Sequence, residues 1–215
     1  MTNLVLGVDP SWGGLGWCLT LDGRPLVAGH ERLSKPWREV KLAKLLETWD
    51  RLIADAVVVH LVDEDPRPRV VVEQAPTRHK RRLSSGSRVK NAGPIAFGLG
   101  TVTGAVMQWA TRETWLYPWL VPVGSSNAFG WRHWWGYGAR GAVHPEAFKA
   151  HAVALVIGDR SRRAALDGFD HRDHMGAAGD VAEATLIAVG GARHNDEGPV
   201  GPRGWVRHPR HNRKG

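Results

Sequence analysis

The chain opens with three short apolar runs separated by turn residues, and this opening restricts the fold more than any other feature. Apolar runs of this length are typical of buried strands, and Asp22-Gly23 is a typical two-residue hairpin turn between the second and the third. The predicted strands are Asn3–Val8, Leu15–Leu21 and Pro25–Leu33. The pattern therefore predicts a three-strand antiparallel meander at the start of the domain.

Helices and strands alternate after the meander. An apolar stripe with the spacing of one helix face predicts a helix from Trp37 to about His60, and the β-branched run Arg69–Val72 predicts a strand that ends at Glu73. The remaining predictions are a helix over Pro94–Thr111, a strand over Leu116–Val123, and helices over Pro145–Ile157 and Ala177–Ala192. This order predicts an α/β fold, and 215 residues suffice for one such domain.

The net charge of +8 is concentrated in two segments. Thr77–Lys90 carries +6 and Gly191–Gly215 carries +4, which leaves −2 on the rest of the chain. Such concentrated positive charge favours a polyanionic partner. Because the end of the chain is also rich in Gly, Pro and His, we predict a domain over residues 1–193 and a basic, disordered tail over 194–215.

Other features exclude several classes of protein. The single cysteine, Cys18, excludes an internal disulfide and a cysteine-rich zinc module. The longest apolar stretch, within Leu52–Val62, is shorter than the roughly 20 residues of a membrane span. With no basic-then-apolar leader, the sequence predicts a soluble, cytoplasmic protein without a membrane partner.

Four carboxylates occupy positions that suit a metal site. Asp9 and Glu73 each end a predicted strand, and Asp180 and Glu183 lie three apart on one face of an otherwise apolar helix. Taken singly, each is an ordinary turn or surface residue. Burying unpaired carboxylates together costs several kcal/mol, which a divalent cation would offset. Oxygen ligands of this kind suit Mg²⁺ or Mn²⁺.

The motifs that contain these acids resemble, in the same order, those of a known family. They are Leu6-Gly7-Val8-Asp9-Pro10-Ser11, Val70-Val71-Val72-Glu73-Gln74, the glycine-containing helix from Phe97 to Val106, and Gly179-Asp180-Val181-Ala182-Glu183-Ala184. Together they are similar to the RuvC-type Holliday-junction resolvases of the RNase H-like superfamily. The resemblance extends to about residue 193.

This resemblance implies a fold and an activity. The fold would be RNase H-like, with a five-stranded mixed sheet of three antiparallel and then two parallel strands. The activity would be that of a crossover junction endodeoxyribonuclease that resolves four-way DNA junctions by paired symmetric nicks, leaving 5′-phosphate and 3′-hydroxyl ends. Two Mg²⁺ ions per site, replaceable by Mn²⁺, would be held by Asp9, Glu73, Asp180 and Glu183. Paired nicks require two active sites and hence a homodimer.

The resemblance and the charge pattern also give candidate DNA-binding residues. The basic segment that follows Glu73 would bring its cations beside the cut site, and Arg132 and Lys149 fall near basic residues that approach the phosphate in the family. His174 is a candidate for proton transfer. Each is equally compatible with a solvated surface charge. The cations of the basic segment are Arg78, Lys80, Arg81, Arg82, Arg88 and Lys90.

Some features depart from the family pattern. The fourth acid is Glu183 where the family usually has aspartate, and the connection Gly124–His144 is long and rich in tryptophan. Its residues Trp131, Trp134 and Trp135 either stack on unpaired bases at a branch point or pack the connection onto the domain. The basic segment also lacks an aromatic wedge residue. These departures indicate a divergent branch of the family, such as a phage enzyme.

Other functions are compatible with the same residues. An RNase H-like nuclease acting on RNA/DNA hybrids or on other branched DNA would use the same acids. A non-catalytic junction-binding module could retain the fold without cleavage. Actin-like ATPases and sugar kinases begin with a similar hairpin, but they need two such domains, which 215 residues cannot hold.

Overall fold

The computed structural model describes residues 3–11, 14–33, 38–61, 68–74, 92–113, 115–122, 131–135 and 145–193. Its strands are β1 (Leu4–Pro10), β2 (Gly14–Leu21), β3 (Arg24–Arg32), β4 (Arg69–Gln74) and β5 (Tyr117–Pro122). Its helices are α1 (Arg38–His60), α2 (Ala92–Arg112), α3 (Pro145–Ile157) and α4 (Ala177–Arg193), with short 3₁₀ turns at Trp131–Trp135 and Arg163–Leu166. Every predicted strand and helix is present, and the two 3₁₀ turns were not predicted.

The five strands form one mixed sheet in the order β3-β2-β1-β4-β5. The first three strands are antiparallel neighbours, whereas β4 runs parallel to β1 and β5 runs parallel to β4. This is the five-stranded, RNase H-like arrangement expected from the sequence, so the predicted fold class is confirmed. The division between a domain over 1–193 and a tail stays a prediction, because residues 194–215 lie outside the described residues.

The hairpin between β2 and β3 contains both the predicted turn and an irregularity. Asp22 and Gly23 have φ angles of 51° and 75°, as a type I′ turn requires. Beyond the turn, Thr20 pairs with Pro25 but Leu19 pairs with Val27. Leu26 is therefore the extra residue of a β-bulge in β3, and the bulge shifts the register of the rest of this strand by one.

Hydrophobic cores lie on both faces of the sheet. On one face, α1 and α2 cover the sheet, and Trp49 of α1 contacts Trp17 of β2 and Trp109 of α2 with ring centroids 6.1 and 5.7 Å apart. On the other face, α3 and α4 pack over alternate residues of the strands. The result is a three-layer α/β/α domain. Among the described residues, no helix is both long and apolar enough to cross a bilayer.

Helix α4 lies directly on the backbones of β1 and β2, because glycines face it. A Cβ atom on Gly7 would lie 2.2 Å from the carbonyl oxygen of Ala184, and one on Gly16 would lie 2.3 Å from the carbonyl of Asp180. Real Cβ contacts are not this short, so any larger residue would push the helix away from the sheet. The two glycines therefore fix the height at which the first turns of α4 cross the sheet.

Candidate metal centre

The four predicted acids converge at one edge of the sheet. Val8 and Val72 are the last paired residues of the parallel strands β1 and β4, so Asp9 and Glu73 follow on adjacent strands at the same level. Side chains alternate between the two faces of a strand, so Asp9 lies on the same face as Val5, and Glu73 on the same face as Val71. Both valines belong to the core under α4, so both acids lie on the face that α4 covers. The first two turns of α4 then carry Asp180 and Glu183 onto this edge.

Three of the four acids form a compact group. Carboxylate oxygens of Asp9, Asp180 and Glu183 all lie within 4.8 Å of one another, a geometry that could hold a metal ion. The three residues are 3%, 4% and 1% exposed. Glu73, at 8%, lies outside this group but close enough that its charge raises the pKa of Asp9. The structure thus brings all four predicted ligands to one buried place.

Two predicted basic residues also reach this place, where they contact the acids. Nζ of Lys149 on α3 donates to Oδ1 of Asp180 and lies 3.2 Å from Oε2 of Glu183. Arg132 donates from Nη2 to Oε1 of Glu183 at 2.8 Å, and its guanidinium lies 4.1 Å from the ring centroid of Phe148. Both side chains keep some exposure, 14% and 17%, so they border the site.

Two further contacts were not predicted from the sequence. Nε2 of His30 on β3 lies 3.2 Å from Oδ2 of Asp180. Nε1 of Trp131 donates to Oε2 of Glu73 at 2.8 Å. The Trp131 ring is fully buried and packs edge-to-face on Phe148 at 5.3 Å. Of the two alternatives predicted for Trp131, packing of the connection onto the domain is therefore the correct one. In this structure the buried ring is not accessible for stacking on bases.

The electrostatics divide the acids into two kinds. Burial, followed by the charges of Glu183 and Glu73, raises the pKa of Asp9 well above its ordinary value. Burial also raises the pKa of Glu73, to about 7, although Arg132 opposes that change. Oδ2 of Asp9 is buried and has no hydrogen-bond partner in the part of the chain that the structure describes. These two carboxylates are therefore poorly stabilised as anions by the protein itself.

Asp180 is stabilised as an anion. Burial raises its pKa, but hydrogen bonds from His30 and Ser11 and the charge and hydrogen bond of Lys149 outweigh burial, so the pKa lies below its usual value. Burial lowers the pKa of Lys149, but Asp9, Glu183 and Asp180 outweigh it and hold that pKa above its usual value. Asp180 and Lys149 thus form a fixed ion pair.

The residues present fit a divalent cation. Four carboxylates face the cationic side chains of Lys149 and Arg132, so the fully ionised group carries an excess of two negative charges. The ligand atoms are all carboxylate oxygens, which Mg²⁺ and Mn²⁺ prefer. A cation beside Asp9 would also give Oδ2 of this residue the partner that the described residues do not supply.

Other predicted site residues lie elsewhere or outside the described residues. Nδ1 of His174 lies 3.2 Å from the carbonyl oxygen of Arg172, in the turn before α4. The carbonyl oxygen of His174 would lie 1.9 Å from a Cβ on Gly179, so this turn packs on the first turn of α4. The basic residues Arg78, Lys80, Arg81, Arg82, Arg88 and Lys90 all lie outside the described residues.

Comparisons with known proteins give solved structures only. No family model and no curated protein matches the chain. Similar structures are Thermus thermophilus RuvC with a Holliday junction substrate (TM-score 0.47, 16% identity, 91% of this chain and 96% of that one) and another T. thermophilus RuvC structure (0.44, 19%, 89% and 93%). The yeast mitochondrial Holliday junction resolvase Ydc2 is also similar (0.37, 15%, 89% and 78%). Values this low carry no argument about chemistry, and they give no support for a phage origin.

Proposed function

We propose that the protein is a metal-dependent endonuclease that resolves four-way DNA junctions by paired symmetric nicks. One observation carries the proposal: carboxylate oxygens of the buried residues Asp9, Asp180 and Glu183 lie within 4.8 Å of one another, and Oδ2 of Asp9 has no hydrogen-bond partner among the described residues. The family motifs around these acids in the sequence favour junction DNA as the substrate. The arrangement of the acids supports the metal-dependent cleavage.

A purely structural ion-pair network would be arranged differently. Buried charges in such networks are paired and hydrogen-bonded, because an unpaired buried carboxylate costs several kcal/mol. Here Asp180 and Glu183 have cationic partners, but no described residue gives Oδ2 of Asp9 a hydrogen bond, and the pKa of Asp9 is raised. Groups with such perturbed ionisation cluster at functional sites. The uncompensated charge is what a resident cation would neutralise.

The residues that would hold Mg²⁺ are Asp9, Glu73, Asp180 and Glu183. When bound, divalent cations supply an activated water and stabilise the leaving oxygen of a phosphodiester displacement, which leaves 5′-phosphate and 3′-hydroxyl ends. The chain's own residues hold the ligands in place: Lys149 and Arg132 orient the two acids of α4, and Trp131 orients Glu73. Because Trp131 is fully buried, that hydrogen bond is shielded from water.

The DNA contact would come from cations around this site. Arg132 and Lys149 border the site with partly exposed side chains, where an incoming phosphate would meet them. In the sequence, the basic segment Thr77–Lys90 begins three residues after Gln74, the last residue of β4, and its cations would add to this contact. Since phosphate neutralisation would dominate binding, affinity should fall steeply with salt.

A homodimer would place two such sites across a junction. On α2, Gly100 and Gly104 are exposed, and a Cβ on either one would meet no atom of the described residues within 4 Å. An exposed helix face with two glycines one turn apart allows a second helix to approach closely. This face supports α2 as the interface of a two-fold dimer, whose symmetry would match the two-fold symmetry of paired nicks.

The decisive experiment is cleavage of a labelled four-way junction, a matched duplex and an RNA/DNA hybrid, each with Mg²⁺ or with EDTA. Wild type is compared with Asp9→Asn and with Asp22→Asn as a matched control. The control makes the same chemical change in the turn between β2 and β3, where Asn-Gly is as suitable as Asp-Gly.

We expect paired symmetric nicks in the junction that require Mg²⁺ and Asp9 and persist in the control. Metal-dependent cutting of the hybrid alone would retain the nuclease chemistry and reassign the substrate. Junction binding with no cleavage under Mg²⁺ or Mn²⁺ would contradict the nuclease proposal and leave a junction-binding module.

A further inference from the structure

His30 lies in one transverse row of the sheet with Asp9, one of the four acids of the site. Asp9 of β1 pairs with Gly16 of β2, and Gly16 pairs with His30 of β3. Directly paired residues point to the same face of a sheet, so Asp9 and His30 both point toward α4. Between them, Gly16 has no side chain, and the backbone of Asp180 fills that space. The Asp180 carboxylate is thus held between a first-strand acid and a third-strand imidazole.

The bulge in β3 is what gives His30 this position. The turn-proximal pairs Leu21–Arg24 and Thr20–Pro25, continued without a bulge, would place Gly29 opposite Gly16. His30 would then pair with Leu15 and point to the opposite face, toward α1 and α2. Because Leu26 is an extra residue, His30 instead pairs with Gly16 and points toward α4. Bulges often change the direction of side chains beside active sites.

The surroundings of His30 hold its ring in one place. A Cβ on Gly14 would lie 2.4 Å from Nε2 of His30, so a glycine at position 14 is required for the ring to lie there. Most of the side chain is buried, with 17% of it exposed. Asp180 accepts at Oδ1 from Lys149, so its other oxygen, Oδ2, is the atom that His30 contacts. As an ionised carboxylate only accepts hydrogen bonds, Nε2–H of His30 is the donor.

We propose that His30 is a positioning residue that fixes the orientation of the Asp180 carboxylate for binding a divalent cation. This inference rests on the proposed function, because it requires the acids to bind such a cation. Partners of this kind, one hydrogen bond removed from the metal, typically change metal affinity by about 10–100-fold. His30 itself is not a ligand in this proposal.

The test is Mn²⁺ binding to the metal-free protein, measured by electron paramagnetic resonance without DNA. His30→Gln places an amide N–H near the position of Nε2, His30→Asn is too short to do so, and His30→Leu removes the donor. His171→Leu is the matched control, since Nε2 of His171 donates to a backbone carbonyl oxygen, that of Leu166, and not to a carboxylate of the site. Melting in EDTA checks that each variant folds.

We expect the Mn²⁺ dissociation constant to rise about ten-fold or more in His30→Leu and His30→Asn. It should stay near the wild-type value in His30→Gln and in the control. Wild-type affinity in a folded His30→Leu variant, or equal losses in the Gln, Asn and Leu variants, would overturn the positioning role alone. If wild type bound no Mn²⁺, or if Asp9→Asn did not weaken Mn²⁺ binding, the proposed function and this inference would both fail. That outcome differs from the loss of the positioning role alone, so the two failures can be told apart.

Discussion

The indole N–H of Trp131 donates to Oε2 of Glu73 at 2.8 Å, from a ring with no exposed surface. Trp131 is thus part of the acid site although it comes from the connection between β5 and α3. Arg132 and Lys149 form their ion pairs with Glu183 and Asp180, so this neutral donor is the close partner of Glu73 among the described residues. The contact gives the first prediction.

Trp131→Phe should lower metal affinity and cleavage without unfolding the domain. Phenylalanine keeps an aromatic ring against Phe148 but removes the donor to Glu73. Loss of one orienting hydrogen bond should weaken Mg²⁺ binding by about 10-fold or more. Calorimetric Mg²⁺ titration checks this.

Trp109→Phe is the control for this change. It also removes one indole hydrogen bond, to Oδ1 of Asp50 at 3.0 Å, but in the core on the opposite face of the sheet. Equal Mg²⁺ affinities for the two variants would show that the Trp131 bond is merely structural.

Asp9→Asn should make the metal-free protein more stable. Asparagine keeps the shape but cannot ionise, so it removes the buried charge that Glu183 and Glu73 repel. The free energy of unfolding in EDTA should rise by about 1–3 kcal/mol. Urea denaturation measures this change.

With Mg²⁺ at about 100 times its dissociation constant, wild type should gain about 2.7 kcal/mol and the variant almost nothing. Asp22→Asn, outside the cluster, should respond to Mg²⁺ as wild type does. A variant less stable than wild type in EDTA would argue that Asp9 has a structural partner.

Glu73 should make metal-free stability fall as pH rises. Its pKa is about 7 in the folded protein and near 4.5 when unfolded, so the folded state binds more protons between these values. Stability contributed by protonated Glu73 is therefore intact below about pH 4.5 and is lost as the pH rises toward 7. At 1.36 kcal/mol per unit, the loss is about 3 kcal/mol.

Urea denaturation in EDTA at pH 5 and pH 8 tests this dependence. The raised pKa of Asp9 acts in the same direction. Glu73→Gln should reduce the difference between the two pH values, and saturating Mg²⁺ should reduce it in wild type. An unchanged pH difference in Glu73→Gln would assign the effect to other groups.

The glycines of α2 should distinguish folding from association. Gly104→Ala has open space for its Cβ and should stabilise the monomer by about 0.5–1 kcal/mol through helix propensity. Gly104→Arg should leave the monomer folded but block close approach of a second α2. Sedimentation velocity should then show a dimer for wild type and a monomer for Gly104→Arg; a dimer in both would place the interface elsewhere.

The elements and the four acids were predictable because they depend on local patterns. Periodic apolar residues define each strand and helix, and the parallel strands bring Asp9 and Glu73 to one edge whatever the details of packing. His30 was not predictable in this way. Its place depends on one extra residue in β3, and a regular hairpin from Asp22-Gly23 would have turned it to the other face.

Contacts between distant segments were also beyond the sequence pattern. Arg132 and Lys149 were expected near the phosphate, but nothing local indicates that they would contact Glu183 and Asp180. Trp131 had two open alternatives, and only its full burial decides between them. The glycine periodicity in β1 and β2 marks the docking of α4, although the pattern by itself does not say which helix docks there.

Because Asp180 and Glu183 are carried by α4, the packing of α4 on Gly7 and Gly16 also determines when, during folding, the acid site can form. Asp9 precedes Asp180 and Glu183 by 171 and 174 residues in the sequence, so it is synthesised well before them. A growing chain can complete the sheet from β1 to β5 and still hold only half of the ligand set. Under the proposed function, we therefore expect a growing chain that still lacks α4 to be unable to bind the metal or cleave DNA, and both properties to appear only when α4 packs on the sheet.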